Sequence, residues 1–140
     1  MSKPSRDLCE RAFRLPVLVD VGVKPQIVDM FAPQYRDVNF IVPHVGSFIG
    51  DWKAHQMVVD QIVRHANVYT DTSSVRHYDY IVQAIKRAGP RKVLFGSDGP
   101  WLHPGVELHK IKLLGLSPRA EALVLGGNIL RLLRRGKTSD

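Results

Sequence analysis

Ionisable side chains follow four short apolar runs of this chain. The four side chains are Asp20, His44, Asp71 and Asp98, and hydroxyl residues stand close to the last two. Carboxylate oxygens and imidazole nitrogens bind divalent metals, and the same groups transfer protons in acid–base catalysis. If the four runs end at one face of the fold, this pattern predicts a metal-assisted or acid–base site at that face.

The same residue types also have a purely local use. Aspartate and serine after a strand often cap the next helix or form a turn with their own backbone. We favour this local role for Asp71 and Ser73. His44 differs, because Gly46 two residues later lets a backbone or a ligand approach closely. The other five histidines are interpreted as structural or loop residues.

The elements that position these side chains can be predicted from the apolar pattern. The four runs, rich in β-branched residues, predict buried strands over 15–19, 39–42, 68–72 and 92–95. Helical spacing of apolar residues predicts helices over 25–35, 51–65, 78–88, 106–114, 117–125 and 128–135. Buried strands that alternate with helices are typical of a parallel sheet covered by helices. The predicted fold class is α/β, with parallel βα repeats and helices at the carboxyl terminus.

Length and composition limit the fold and its setting. The 140 residues form one predicted domain, because a complete eight-stranded barrel typically needs about 250 residues. The single cysteine, Cys9, excludes an internal disulfide framework. Residues 1–13 lack an apolar signal-type run and no stretch is long enough to span a membrane, so we expect a cytoplasmic protein. The basic residues behind the net charge of +7 are mostly scattered, so no nucleic-acid partner is expected.

Four segments carry a family resemblance in order along the chain. They are FIVPHVG at 40–46, NVYTDTS at 67–73, KVLFGSDGPW at 92–101 and GNILRLL at 127–133. Together they resemble the amidohydrolase-related family. This is the branch of the metal-dependent amidohydrolase superfamily that includes aminocarboxymuconate semialdehyde decarboxylase and related aromatic-acid decarboxylases and hydrolases. The resemblance covers nearly the whole chain from residue 15 onward.

The resemblance implies a partial TIM barrel, its carboxyl-terminal half, and an active site on a divalent metal, with zinc expected. It implies that Asp98 binds the metal and helps to deprotonate its water. It also implies that His44 is an acid–base group near the metal that polarises a substrate carbonyl. Asp20 stands where the family has a metal-binding histidine, so it becomes the second predicted metal ligand. The implied substrate is a small molecule.

Two departures from the family pattern lead to two alternative hypotheses about function. Besides Asp20 in place of histidine, no two of the six histidines are two residues apart, so the family's His-x-His pair is absent. An oxygen-dominated site binds zinc weakly. One hypothesis is therefore a metal-dependent hydrolase or decarboxylase that is inactive as an isolated chain. The other is a non-catalytic, degenerate half-barrel with a structural or assembly role. In both, a second copy or a complementary half-barrel chain is the expected partner.

Overall fold

The computed structural model describes residues 15–22 and 24–134, so Cys9 and the segment 1–13 lie outside the described residues. Within them the chain forms a four-stranded parallel sheet in the order β1-β2-β3-β4. The strands are β1 (Val17–Leu18), β2 (Phe40–Val42), β3 (Val68–Asp71) and β4 (Val93–Leu94). This arrangement confirms the predicted α/β class of parallel βα repeats.

Helices follow each strand and close the chain. They are α1 (Val28–Phe31), α2 (Trp52–Arg64), α3 (Tyr78–Ala88), α4 (Pro104–Lys112), α5 (Pro118–Ala122) and α6 (Asn128–Arg134). Short 3-10 turns occupy Pro25–Ile27 and Pro90–Lys92, and a π-helical turn, Leu123–Gly127, joins α5 to α6. The turn after β2, Pro43–Gly46, contains two residues with left-handed backbone angles, His44 and Val45. No helix among the described residues is long and apolar enough to cross a membrane.

The predicted helix boundaries differ from the observed ones where proline and capping side chains act. The helix expected over 25–35 reduces to a 3-10 turn and α1, because Pro33 has no backbone N–H with which to continue the helical hydrogen bonds beyond Ala32. Helix α4 begins earlier than the predicted residue 106. Its first turn is capped by His103, whose Nδ1 accepts a hydrogen bond from the Gly105 N–H at 3.1 Å, and Pro104 follows at the first helical position.

The two faces of the sheet bury different clusters. On the outer face, Val42, Val68 and Val93 pack with α2 and α3 residues such as Val58 and Ile81, and all of these side chains are fully buried. Each buried aliphatic side chain contributes about 1.5–3 kcal/mol relative to an exposed one. This larger cluster therefore holds the helices against the sheet.

The inner face is only partly covered. Pairing of Leu18 with Ile41 and of Ile41 with Tyr69 sets one row of side chains on this face. Helix α6 covers part of the row, because Leu132 packs against Ile41 and Tyr69. Leu18 remains 61% exposed. Within the described part of the chain β1 and β4 do not pair, so the sheet stays open.

A buried amide closes the loop between α1 and β2. The Asn67 Nδ2 group donates to three carbonyl oxygens of that loop, Ala32 at 3.1 Å, Tyr35 at 2.9 Å and Val38 at 2.9 Å. Asn67 is 8% exposed, so water cannot readily replace these bonds. This side chain therefore fixes the start of β2 relative to β3.

Replacement of this amide tests its contribution to stability. We expect Asn67→Ala to lower the free energy of unfolding by about 2–3 kcal/mol, because buried carbonyls lose their donor. Urea denaturation followed by circular dichroism measures the change. Gln34→Ala, at an exposed position of the same loop, is the matched control and should have little effect. Equal stability of the Asn67 variant and the control would contradict the assignment.

Gly46 provides a second test, because α2 approaches it closely. Its φ is +90°, and a Cβ atom added there would lie 2.5 Å from Val58 Cγ2. We expect Gly46→Ala to destabilise the fold by about 3 kcal/mol through steric overlap and backbone strain. Gly115→Ala separates the two causes, because Gly115 also has a positive φ, +60°, but nothing within 4 Å of the added Cβ. Thermal unfolding of both variants should show the larger loss for Gly46.

Candidate active site

A cleft of about 270 Å³ lies at the carboxyl ends of the strands. Its lining consists of Leu18, Asp20, Pro43, His44, Asp71, Ser73, Gly96 and Asp98. All three sequence-predicted site residues, Asp20, His44 and Asp98, are thus brought to one cleft. Asp71 and Ser73, for which only a local role was expected, line it as well.

His44 is held rigidly in the turn after β2. It has a φ of 61°, in the left-handed region that non-glycine residues rarely adopt. Its backbone N–H donates to Asp71 Oδ1 at 3.0 Å, and its Nδ1 lies 3.0 Å from the carbonyl oxygen of Ser73. Because a carbonyl oxygen only accepts, Nδ1 carries the hydrogen, and in the neutral ring Nε2 keeps its lone pair. No described residue hydrogen-bonds to Nε2.

Asp71 links the turn after β2 to the turn after β3. Its Oδ1 accepts from the Ser73 N–H at 3.0 Å, which is the expected local turn, and also from the Ser73 hydroxyl at 2.6 Å. The same oxygen takes the His44 N–H. The Ser73 Oγ in turn lies 2.9 Å from His44 Nδ1. The local interpretation of Asp71 and Ser73 was therefore incomplete, since the turn also orients the His44 ring.

Gly96 makes room for this network. A Cβ atom at this position would lie 3.0 Å from both Asp71 Cγ and Ser73 Cβ, closer than side-chain carbons normally approach. The glycine therefore lets the end of β4 pass directly beside the carboxylate of the neighbouring strand. This close approach explains the glycine in the Gly-Ser-Asp sequence that follows β4.

Asp98 also sits in a left-handed turn and is half-buried. Its φ is 52°, and its Oδ2 accepts a hydrogen bond from the Ser74 hydroxyl. Ser74 has a positive φ as well, 56°. Sequence reasoning did not identify Ser74, because a serine three residues after a strand carries no motif. The second oxygen of Asp98, Oδ1, has no hydrogen-bond partner among the described residues.

Asp20 lies on the exposed rim of the cleft. Its Oδ1 accepts from the Gly22 N–H at 2.9 Å, so the side chain forms a turn with its own backbone. This local bond leaves its second carboxylate oxygen facing solvent or the cleft without a described partner. Asp20 therefore differs from His44 and Asp98, which are both held by residues at the end of the neighbouring strand β3.

A divalent metal ion at this cleft would need several ligands from these side chains. No group of three or more His, Cys, Asp or Glu side chains within the described residues is arranged to hold a metal ion. One oxygen each of Asp20, Asp71 and Asp98 already accepts protein hydrogen bonds. The described residues therefore provide carboxylates but do not complete a metal centre.

A second histidine, His55, contacts the turn that contains His44. It is fully buried on α2, and its Nδ1 donates to the Val45 carbonyl oxygen at 3.0 Å, next to His44. Burial lowers the pKa of His55, and the nearby His77 lowers it further, although the bond to Val45 acts in the opposite direction. His55 therefore favours the neutral form and fits the structural role expected of it.

Known proteins match this chain in family and in fold. The profile of the amidohydrolase family matches residues 8–135. An uncharacterized TIM-barrel protein, Bb4693 from Bordetella bronchiseptica, matches with a TM-score of 0.77 and 21% identity over 95% of this chain and 50% of that one. No curated protein matches the chain in sequence.

Two further solved structures carry metals. An amidohydrolase from Burkholderia multivorans with bound zinc matches with a TM-score of 0.64 and 16% identity over 80% of this chain and 51% of that one. A dihydroxybenzoic acid decarboxylase from Polaromonas sp. JS666, with bound manganese and the inhibitor 2-nitroresorcinol, has a TM-score of 0.58 and 16% identity. That match covers 99% of this chain and 48% of the decarboxylase.

These matches decide the fold and the family. At such identities the superpositions show the fold alone, and they identify the open sheet as part of a TIM barrel. The chain spans about half the length of the TIM-barrel protein, with 50% of that protein covered. Because the family profile extends over most of the sequence, the chain belongs to the amidohydrolase family.

Proposed function

We propose that this chain supplies the acid–base part of an amidohydrolase-type active site that hydrolyses or decarboxylates a small molecule. The observation that carries the proposal is the placement of His44 and Asp98 at one cleft, each in a left-handed turn held from the neighbouring strand end. Non-glycine residues in this conformation are strained, and such strain is concentrated at functional sites.

His44 is the proposed proton carrier. Its Nδ1–H is engaged by Ser73, so the neutral ring offers the lone pair of Nε2. Imidazole exchanges protons readily near neutral pH, and Nε2 can take a proton from a reacting group and return it to a leaving group. The two contacts to Ser73 keep the ring in one orientation, which reduces the entropy lost when a substrate binds.

Asp98 is the proposed base toward water. The Ser74 hydroxyl occupies Oδ2, while Oδ1 stays available to accept a proton. The relatives with zinc and manganese support a divalent metal, and Asp98 and Asp20 are the proposed carboxylate ligands. When bound, such an ion acts as a Lewis acid toward substrate or water. Since the described ligand set is incomplete, we propose weak binding by this chain, and zinc remains the metal expected from the family.

The cleft's affinity for a divalent ion tests this proposal. We expect Mn²⁺ added to the full chain to broaden the NMR amide signals of Ser73 and Gly96 first, because both residues line the cleft. Asp98→Asn should abolish this selective broadening by removing a ligand charge. Dialysis should remove the ion, because a site that lacks nitrogen ligands holds it poorly.

A matched control uses a carboxylate that does not line the cleft. Asp79 is an exposed residue of α3 whose carboxylate accepts from Gln83, so Asp79→Asn removes the same charge from a position outside the cleft lining. This variant should keep the broadening pattern. Broadening that spreads evenly over the surface, or that survives in Asp98→Asn, would contradict the proposed metal position.

A non-catalytic role is the second candidate. The specific observation in its favour is that no three-ligand group exists among the described residues. In this case the hydrogen bonds around Asp71 serve only to fold the strand ends, and the chain acts as a structural or assembly domain. A cleft that shows no preference for Mn²⁺ would favour this role.

The inner face leads to a prediction about assembly. Leu18 is 61% exposed, and it lies on β1, which has no further strand beside it in the described part of the chain. Exposed apolar side chains beside an open strand edge favour association. We expect sedimentation velocity to show concentration-dependent self-association, and Leu18→Lys to shift the chain toward monomer.

The control for this experiment is Leu113→Lys. Leu113, after α4, has a similar exposure of 63% but does not belong to the inner face. This variant should sediment like the unmodified chain. A compact monomer at every concentration would refute the expectation that the open half-barrel associates.

A further inference from the structure

A buried carboxylate, Glu107, plays no part in the proton chemistry proposed above. It lies in the first turn of α4 and is 2% exposed. Its Oε1 accepts from Lys110 Nζ at 2.7 Å, and its Oε2 accepts from the backbone N–H of Ser74 at 3.2 Å. A carboxylate this deeply buried is costly unless it is paired, so its partners need an explanation.

The Lys110 ammonium connects the same helix to the turn after β3. Besides its bond to Glu107, Nζ donates to the Val75 carbonyl oxygen at 3.1 Å. Helix α4 therefore binds two consecutive residues of this turn. Glu107 accepts from Ser74, and Lys110 donates to Val75. The charged pair is thus directed at backbone groups rather than at solvent.

Ser74 passes this restraint to the cleft. Its φ of 56° is strained for a serine, and the bond from its N–H to a charged acceptor stabilises that conformation. In this conformation its hydroxyl donates to Asp98 Oδ2. Two left-handed residues from neighbouring strand ends are therefore connected through one hydroxyl.

We infer that Glu107 is a positioning residue that orients the Asp98 carboxylate in the cleft, acting through Ser74. The importance of this orientation rests on the proposed function, in which Asp98 accepts a proton. One hydrogen bond from a fixed hydroxyl holds the carboxylate in a single rotamer and leaves Oδ1 available. Helix α4 directly follows the loop that contains Asp98. Glu107 in this helix therefore acts, through Ser74, on the loop that precedes it.

The test measures the Asp98 side-chain rotamer. Three-bond couplings from the carboxyl Cγ to the backbone ¹⁵N and carbonyl ¹³C report χ1 in labelled full-length chain without any added ion. We expect single-rotamer couplings in the unmodified chain. In Glu107→Gln, which keeps the side-chain shape but removes the charge, we expect these values to change to those of an averaged rotamer.

A second variant keeps the inference testable if loss of the Glu107 charge unfolds the chain. Ser74→Gly removes the hydroxyl and also relieves the strain at positive φ, so it should fold and still show averaging at Asp98. Glu121→Gln is the matched control, because it breaks the exposed Lys112–Glu121 pair elsewhere and should leave the Asp98 couplings unchanged.

The outcomes separate a positioning role from a structural one. If Glu107 only stabilises α4, its replacement lowers the unfolding temperature but leaves the Asp98 couplings of the folded chain unchanged, which would overturn the inference. Unchanged couplings in Ser74→Gly would overturn it as well. Failure of Mn²⁺ to select the cleft would refute the proposed function while these rotamer measurements still decide the role of Glu107.

Discussion

The cleft depends above all on one carboxylate oxygen, Oδ1 of Asp71. It accepts the His44 N–H at 3.0 Å, the Ser73 N–H at 3.0 Å and the Ser73 hydroxyl at 2.6 Å. Hydrogen bonds to a charged group contribute about 1.5–3 kcal/mol each, which offsets the roughly 1–3 kcal/mol cost of a residue held in a left-handed conformation. Without this oxygen the turn at His44 would relax toward ordinary backbone angles. Gly96 is the complementary requirement, because only a residue without a side chain leaves space beside this carboxylate.

The two ends of the parallel strands are stabilised by different kinds of hydrogen bond. At the end where the strands begin, side-chain donors bind backbone carbonyls. Asn67 donates to the loop before β2, Asn128 donates to Pro90 and Val93, and Lys92 donates to Val68. Burial lowers the pKa of Lys92 to about 8, and the nearby Arg131 acts in the same direction. At the carboxyl end, carboxylates accept from backbone and hydroxyl donors. At this end, His44 Nε2 and Asp98 Oδ1 have no hydrogen-bond partner among the described residues, so the proposed proton transfer is assigned to it.

The sequence allowed prediction of those parts of the fold that depend on local pattern. Apolar runs predicted the four strands and their parallel direction, and the polar residues after them predicted a shared cleft, because parallel strands end at the same end of a sheet. Contacts between segments distant in sequence were not predictable. The link from Glu107 to Ser74 spans 33 residues, and no periodicity indicates it. Asp71 was assigned a local turn for the same reason, since its bond to the His44 backbone becomes visible only once β2 and β3 are paired.

The arrangement separates the two parts of the expected chemistry within one fold. His44 and Asp98 are fixed by hydrogen bonds that all originate inside the described chain, so their geometry does not require an ion. Metal binding, in contrast, needs further ligands, because Asp20 is exposed and occupied in its own turn. Nitrogen ligands favour zinc, whereas carboxylates alone suit harder ions and hold zinc weakly. A chain of this kind can therefore keep the geometry of the proposed acid–base pair, His44 and Asp98, whether or not a complete metal centre forms beside it.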